Sequence, residues 1–163
     1  MKPNVIILTC HDLGRFLGVY GRNIETDRID DFAEDGVVFD NNFATAPQCS
    51  PSRGSIMTGK YPHNHGLIGL AHEGYGWELD DGEKTLPEYL TGAGYETHLF
   101  GLQHESRDPR SLGYEYVHGS GVGEQRAKPT TRKFLSYLED REEEDNPVPL
   151  FASIGFFEPH RPY

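Results

Sequence analysis

Four short strand-like runs do most to limit the folds open to this chain. Val5-Ile6-Ile7-Leu8-Thr9 is continuous and largely β-branched. A strand with one face in water alternates apolar and polar residues. An unbroken run predicts instead a parallel strand covered on both faces. Residues 96–100 and 150–157 read as further strands, and Val37-Val38-Phe39 as a short second one. Helical patterns lie between them. Over residues 26–36, Thr26 stands at a cap position, Ile29, Phe32 and Ala33 share a face, and Gly36 is the stop. Residues 52–59, 85–91 and 128–143 also read as helices, the last turning Phe134, Tyr137 and Leu138 inward. Strands alternating with helices predict an α/β fold, a mostly parallel sheet with helices on both faces. Residues 66–84 and 105–124 are rich in glycine and polar side chains and read as loops.

A chain of 163 residues is one domain's worth. It carries 26 acidic against 15 basic residues, a formal charge of -11. That balance excludes nucleic acid as a partner, since phosphate binding needs clustered lysine and arginine. No apolar run is long enough to span a bilayer, so no membrane partner is expected. The chain enters its first strand with no signal-peptide pattern, and its two cysteines do not make a disulfide scaffold. Cytoplasmic residence is therefore expected. An acidic surface poor in lysine fits a halophilic protein, whose self-repulsion is screened by salt, and that character is expected here. The run at 139–145 reads as a solvated helix end and loop.

In open α/β sheets, ligands gather at the carboxyl ends of the strands. His11 and Asp12 follow the first strand, Cys49 the second, His104 the third and His160 the fourth. Ser50 is a favoured N-cap and Pro51 a favoured first helical residue, so a helix is expected to begin there. Cys49 then sits at its positive end, where free N–H groups attract an anion. Arg53, in the first turn, adds a guanidinium fork. Asp12 is a hard oxygen ligand suited to Ca²⁺ or Mg²⁺, and His11 brings a nitrogen that favours softer ions.

The run Ala46-Pro47-Gln48-Cys49-Ser50-Pro51-Ser52-Arg53, continuing through Gly54-Ser55-Ile56-Met57-Thr58-Gly59-Lys60-Tyr61-Pro62-His63-Asn64-His65-Gly66, resembles the active-site signature of the type I sulfatases of the alkaline-phosphatase superfamily. The resemblance implies a sulfuric ester hydrolase whose Cys49 is converted to formylglycine by the formylglycine-generating enzyme. The hydrated aldehyde attacks sulfur with one hydroxyl and expels sulfate by collapse of the other, an exit a serine lacks. It further implies catalytic roles for Cys49, Arg53, His104 and His160. A divalent metal is implied at His11, Asp12 and Cys49: Ca²⁺ first, Mg²⁺ or Mn²⁺ as alternatives. The implied substrate is a sulfated small molecule or sugar.

The segment from Asn4 to Gly14 resembles the family's opening, where two adjacent aspartates are usual; here His11 stands in place of the first. Gly94 to His104 resembles a segment ending Gly-Lys-x-His, with Leu102 at the lysine position. Phe156 to Tyr163 resembles a His-x-Pro-His segment, with Phe157 replacing the first histidine. His63 and His65 are assigned no direct contact with substrate, and His98 reads as a half-buried strand histidine. The resemblance covers only the first third of a sulfatase. Residues 1–163 are therefore expected to be the N-terminal, truncated portion of a catalytic domain, with further metal ligands and a second lysine beyond Tyr163. The alternatives are a phosphonate monoester hydrolase or phosphodiesterase of the same superfamily, and a non-catalytic remnant.

Overall fold

The computed structural model describes residues 2–71, 74, 76–119, 123–143, 145 and 147–160. The elements run β1 (Val5–Cys10), α1 (Asp27–Glu34), α2 (Cys49–Thr58), α3 (Pro62–His65), α4 (Leu86–Gly92), β2 (Glu96–Gly101), β3 (Tyr116–His118), α5 (Ala127–Glu142) and β4 (Leu150–Phe156). Among the described residues the strands form one parallel sheet in the order β1-β4-β2-β3. The α/β expectation holds, and the register sets Cys10 beside Phe156 and Gly101 beside Gly155.

The largely apolar run of β4, broken only by Ser153, explains its central place. Phe151 points to one face, where Leu99, Leu112 and Tyr114 pack with Leu86 and Leu90 of α4. Leu150, Ala152 and Ile154 point to the other, where Phe100 meets Phe134 and Tyr137 of α5. Each fully buried Phe or Leu contributes about 1.5–3 kcal/mol against exposure. Helix α4 begins with a reciprocal cap, in which the Thr85 N–H donates to Glu88 Oε2 at 2.8 Å.

Several expectations fail, each for a tertiary reason. Residues 37–39 form no strand: they pair with none of the described strands, and Val37 is 78% and Phe39 67% exposed. β-branched residues favour a strand only where a neighbour supplies the ladder. Helix α1 forms where its pattern predicts, yet Phe32 on its apolar face is 81% exposed. Strand β3 arises inside a stretch that reads as loop, as an edge strand paired to β2. Arg141, in the acidic run, is buried and pairs with Glu96 at 3.1 Å. His98 is fully buried rather than half-buried, its Nδ1 sharing a hydrogen bond with His118 Nε2 at 2.9 Å. The tail Arg161-Pro162-Tyr163 and Glu144 of the acidic run lie outside the described residues. No helix among the described residues is long and apolar enough to cross a membrane.

Candidate active site

Three parallel strands side by side deliver three loops to one end of the sheet. His11 and Asp12 leave β1, residues 157–160 leave β4, and residues 102–104 leave β2. The His11 N–H donates to the Glu158 carbonyl at 3.1 Å, which ties the first two loops together. The Leu102 N–H donates to the Gly155 carbonyl at 2.8 Å. A side chain at Gly155 would run into the Leu102 carbonyl, so glycine there lets the third loop cross and bring His104 in. The result is a cleft of about 290 Å³ whose lining includes His11, Asp12, Gln48, Cys49, Ser52 and Arg53.

Helix α2 forms one wall, and it begins two residues earlier than its sequence suggests. Cys49 is its first residue, and extended Gln48 precedes it as the cap. Ser50 is no cap: it is fully buried, and its Oγ accepts from the Ala71 N–H at 3.1 Å. Pro51 remains harmless in the first turn, where N–H groups have no helical partner. Cys49 stays at the positive end of the helix, as predicted. Arg53 reaches back from the first turn and donates to Thr9 Oγ1 at 3.3 Å, which fixes its guanidinium beside the β1 loop.

The helix is held from behind by His65. Its Nδ1 accepts from the Leu67 N–H at 3.2 Å, so the proton belongs on Nε2, which donates to Ser55 Oγ at 3.3 Å. Ser55 in turn donates to the Pro51 carbonyl at 3.2 Å and accepts from Thr45 at 2.8 Å. Burial pushes the His65 pKa down and keeps the ring neutral in this role. The packing is tight enough that a Cβ on Gly54 would sit 2.9 Å from the His65 ring. His63, by contrast, is exposed and stacks on Tyr61, away from the cleft.

Inside the cleft, His11 is 4% exposed and its Nδ1 lies 3.0 Å from Asp12 Oδ1. Asp12 Oδ2 is 3.9 Å from His160 Nε2. The His11 ring stands edge-on to His160 at 4.3 Å and to His104 at 5.4 Å between centroids. Donor atoms of His11, Cys49 and His104 lie within 4.8 Å of one another, and so do those of His11, Asp12 and His160. Burial, then the charge of Arg53, pushes the His11 pKa down, while Asp12 opposes them. A lone pair is thus free for a ligand near neutral pH. Asp12 adopts φ +60, a left-handed conformation that costs a non-glycine residue about 1–2 kcal/mol. His11 Nε2 is buried with no hydrogen-bond partner. Such an orphan costs about 1–3 kcal/mol, and coordination of a cation is the chemistry that removes that cost. The residues present therefore fit a divalent metal.

Sequence reasoning missed Glu105. It is 2% exposed, and its Oε2 accepts from the His104 N–H at 2.6 Å. Burial drives its pKa up and the Arg53 guanidinium pulls it back. Gln103 braces the same loop, its Oε1 accepting from the Glu105 N–H at 2.9 Å. Glu105 raises the Tyr114 pKa further, beyond what burial does. A single glutamate in a polar loop carries no signal of such a position. Leu102 is buried and apolar.

The model of the family described as Sulfatase matches residues 3–162. The chain belongs to the sulfatase family. It is 32% identical to the human N-sulphoglucosamine sulphohydrolase over 166 residues, covering 97% of this chain and 32% of that protein. Among solved structures, one in complex with its substrate D-glucosamine-2-N,6-O-disulfate superposes with a TM-score of 0.79 at 26% identity. That superposition covers 99% of this chain and 35% of that one. A phosphonate monoester hydrolase of Agrobacterium radiobacter shares the fold, with a TM-score of 0.70 at 22% identity over 99% of this chain and 42% of its own. The sulfatase chain described here spans about a third of the length of the human relative. Sulfatases as a family use a divalent metal and a formylglycine.

Proposed function

We propose that this chain is the N-terminal portion of a sulfuric ester hydrolase and that Cys49 is its nucleophile after conversion to formylglycine. The observation that carries this reading is the convergence of Cys49, Arg53, His11 and His104 on one cleft, at the positive end of α2. The Cys49 sulfur marks the position of the formylglycine oxygens. The hydrated aldehyde supplies one hydroxyl for attack and a second for release of sulfate. A divalent cation held at His11 and Asp12 would neutralise the ester's charge.

The chain's own residues do the rest. Arg53, fixed by Thr9, presents N–H donors to the sulfate oxygens. The first turn of α2 adds the favourable end of its dipole. His104 has a donor atom within 4.8 Å of the Cys49 sulfur, close enough to handle the proton of a hydroxyl there. His160, 30% exposed beside Asp12, is assigned the proton of the leaving group. The substrate class is a sulfated sugar, supported by the sugar disulfate bound to the structural relative.

The test combines modification and turnover. Co-expression of the full-length gene product with the formylglycine-generating enzyme should lower the mass of the Cys49 peptide by about 18 Da, sulfur being exchanged for oxygen with loss of two hydrogens. The modified protein should then hydrolyse sulfate esters of aminosugars. Hydrolysis of phosphonate monoesters or phosphodiesters in place of sulfate esters would select the other chemistry of the superfamily. A thiol persisting at Cys49, with no ester hydrolysed, would identify a non-catalytic remnant.

A further inference from the structure

We propose that, before conversion, the Cys49 thiolate joins His11 and His104 in a two-nitrogen, one-sulfur site for a zinc-class divalent ion. It shares His11 and the Cys49 position with the hard-cation site of the matured protein and differs from it in its thiolate and in His104 as a ligand; it does not depend on which ester the matured protein cleaves.

The geometry of His11 decides which face is free. Its Nδ1 donates to Asp12 Oδ1 at 3.0 Å, which puts the proton on Nδ1 and the lone pair on Nε2. That Nε2 is buried and lacks a hydrogen-bond partner, in a residue only 4% exposed. A carboxylate holding one ring nitrogen while the other meets a metal is the arrangement that orients a ligating histidine. Asp12 thus serves this site as the group that aims His11. Cys49 and His104 complete a triad whose donor atoms lie within 4.8 Å of one another. With Zn–N near 2.0–2.1 Å and Zn–S near 2.3 Å, donors on one tetrahedral ion stand roughly 3.3–3.6 Å apart. The triad reaches that spacing by contracting at most about 1.5 Å, within the range of side-chain adjustment.

The donor set also chooses the ion. Thiolate and imidazole select Zn²⁺ and its neighbours, whereas Ca²⁺ requires six to eight oxygens. Three protein ligands leave a fourth position open on the cleft side. Binding displaces the thiol proton to solvent and forms a metal–sulfur bond, with no change of oxidation state. Conversion of Cys49 removes the sulfur and with it the site.

The experiment uses protein made without the formylglycine-generating enzyme, its intact mass confirming a thiol at Cys49. Titration with Co²⁺ should give tetrahedral visible bands and a near-ultraviolet sulfur-to-cobalt charge-transfer band. Zn²⁺ should displace Co²⁺, and about a hundredfold excess of Ca²⁺ should not. The charge-transfer band should vanish in Cys49→Ala and persist in Cys10→Ser. His104→Ala should weaken binding by about tenfold or more. In the unsubstituted protein, Zn²⁺ should slow alkylation of Cys49 at least about tenfold without protecting Cys10; this arm stands even where a variant fails to fold. The proposal is overturned if the charge-transfer band is missing or survives Cys49→Ala. It is equally overturned if His104→Ala binds like the parent, if Ca²⁺ displaces Co²⁺, or if Cys49 alkylates at the same rate with Zn²⁺. Ester hydrolysis is read on separately converted protein, so a failed sulfatase assay leaves this result standing, and the reverse.

Discussion

Glu105 shows how one residue can matter to a site without advertising itself. Its carboxylate is buried against the backbone that carries His104 and under the charge of Arg53. Glu105→Leu removes the acceptor of the His104 N–H and leaves that donor orphaned in the interior. We expect a loss of about 1–3 kcal/mol in urea unfolding. Glu105→Gln keeps an acceptor in place and removes only the charge, so its loss should be smaller. Equal losses in the two variants would show that charge, not the hydrogen bond, is what the loop needs. Arg53→Lys makes a complementary case. Lysine keeps the charge but lacks the fork that bonds Thr9 while facing an anion. Under the proposed sulfatase reading, kcat/KM should fall by about a hundredfold or more, measured against a sulfated aminosugar with Cys49 conversion confirmed by mass.

At the scale of elements, α2 is as much a product of its support as of its own sequence. His65, Ser55 and Thr45 form a buried chain of hydrogen bonds along its back. Gly54 leaves room for the His65 ring, which a Cβ would approach to 2.9 Å. Gly54→Ala therefore should destabilise the fold by about 1–3 kcal/mol through overpacking, although alanine is the better helix former. A stabilising effect, read as a higher urea midpoint, would mean that the ring yields freely. Helix α1 is the opposite case. It has the amphipathic pattern and forms, but no residue of it is buried, and Phe32 on its apolar face is 81% exposed.

The whole molecule carries two consequences of its packing. Phe16, Phe32, Phe39 and Phe43 are each more than half exposed, and Leu8 on the outer strand β1 is 59% exposed. An apolar surface beside an open strand edge invites association. The purified 163-residue chain should bind an apolar dye such as ANS and elute at a concentration-dependent size. A dye-silent monomer would contradict this. The second consequence concerns pH. Burial lowers the pKa of His11, His65, His98 and His118. Their folded values lie below the unfolded one near 6.5, so the unfolded state binds more protons as pH falls below about 6.5. Stability present above that value is lost on acidification. Glu105 acts oppositely: its raised pKa favours the fold at low pH and disfavours it as pH rises through the folded value. In Glu105→Gln, which lacks the opposing group, urea midpoints should therefore fall between about pH 7.5 and about pH 5.5.

The sequence by itself determined the α/β class, the central strands and the cleft. Continuous apolar runs can be satisfied only between two covered faces, and parallel strands send their following loops to one end. His11, Asp12, Cys49, Arg53, His104 and His160 are legible because each follows a strand or opens a helix, positions defined by local pattern. What only the tertiary structure decided are the features that need a distant partner. Val37-Val38-Phe39 has the composition of a strand but pairs with none of the described strands, while Tyr116–His118 lies in a loop-like stretch and pairs with β2. Ser50 has the chemistry of a cap, yet Ala71, 21 positions away in the chain, claims its oxygen. Glu105 and Arg141 read as solvent-facing charges and are buried, because Arg53 and the His104 N–H await one and Glu96 the other. Local propensity acts over a few residues, whereas the cost of an unpaired buried group is settled by whatever the fold brings beside it.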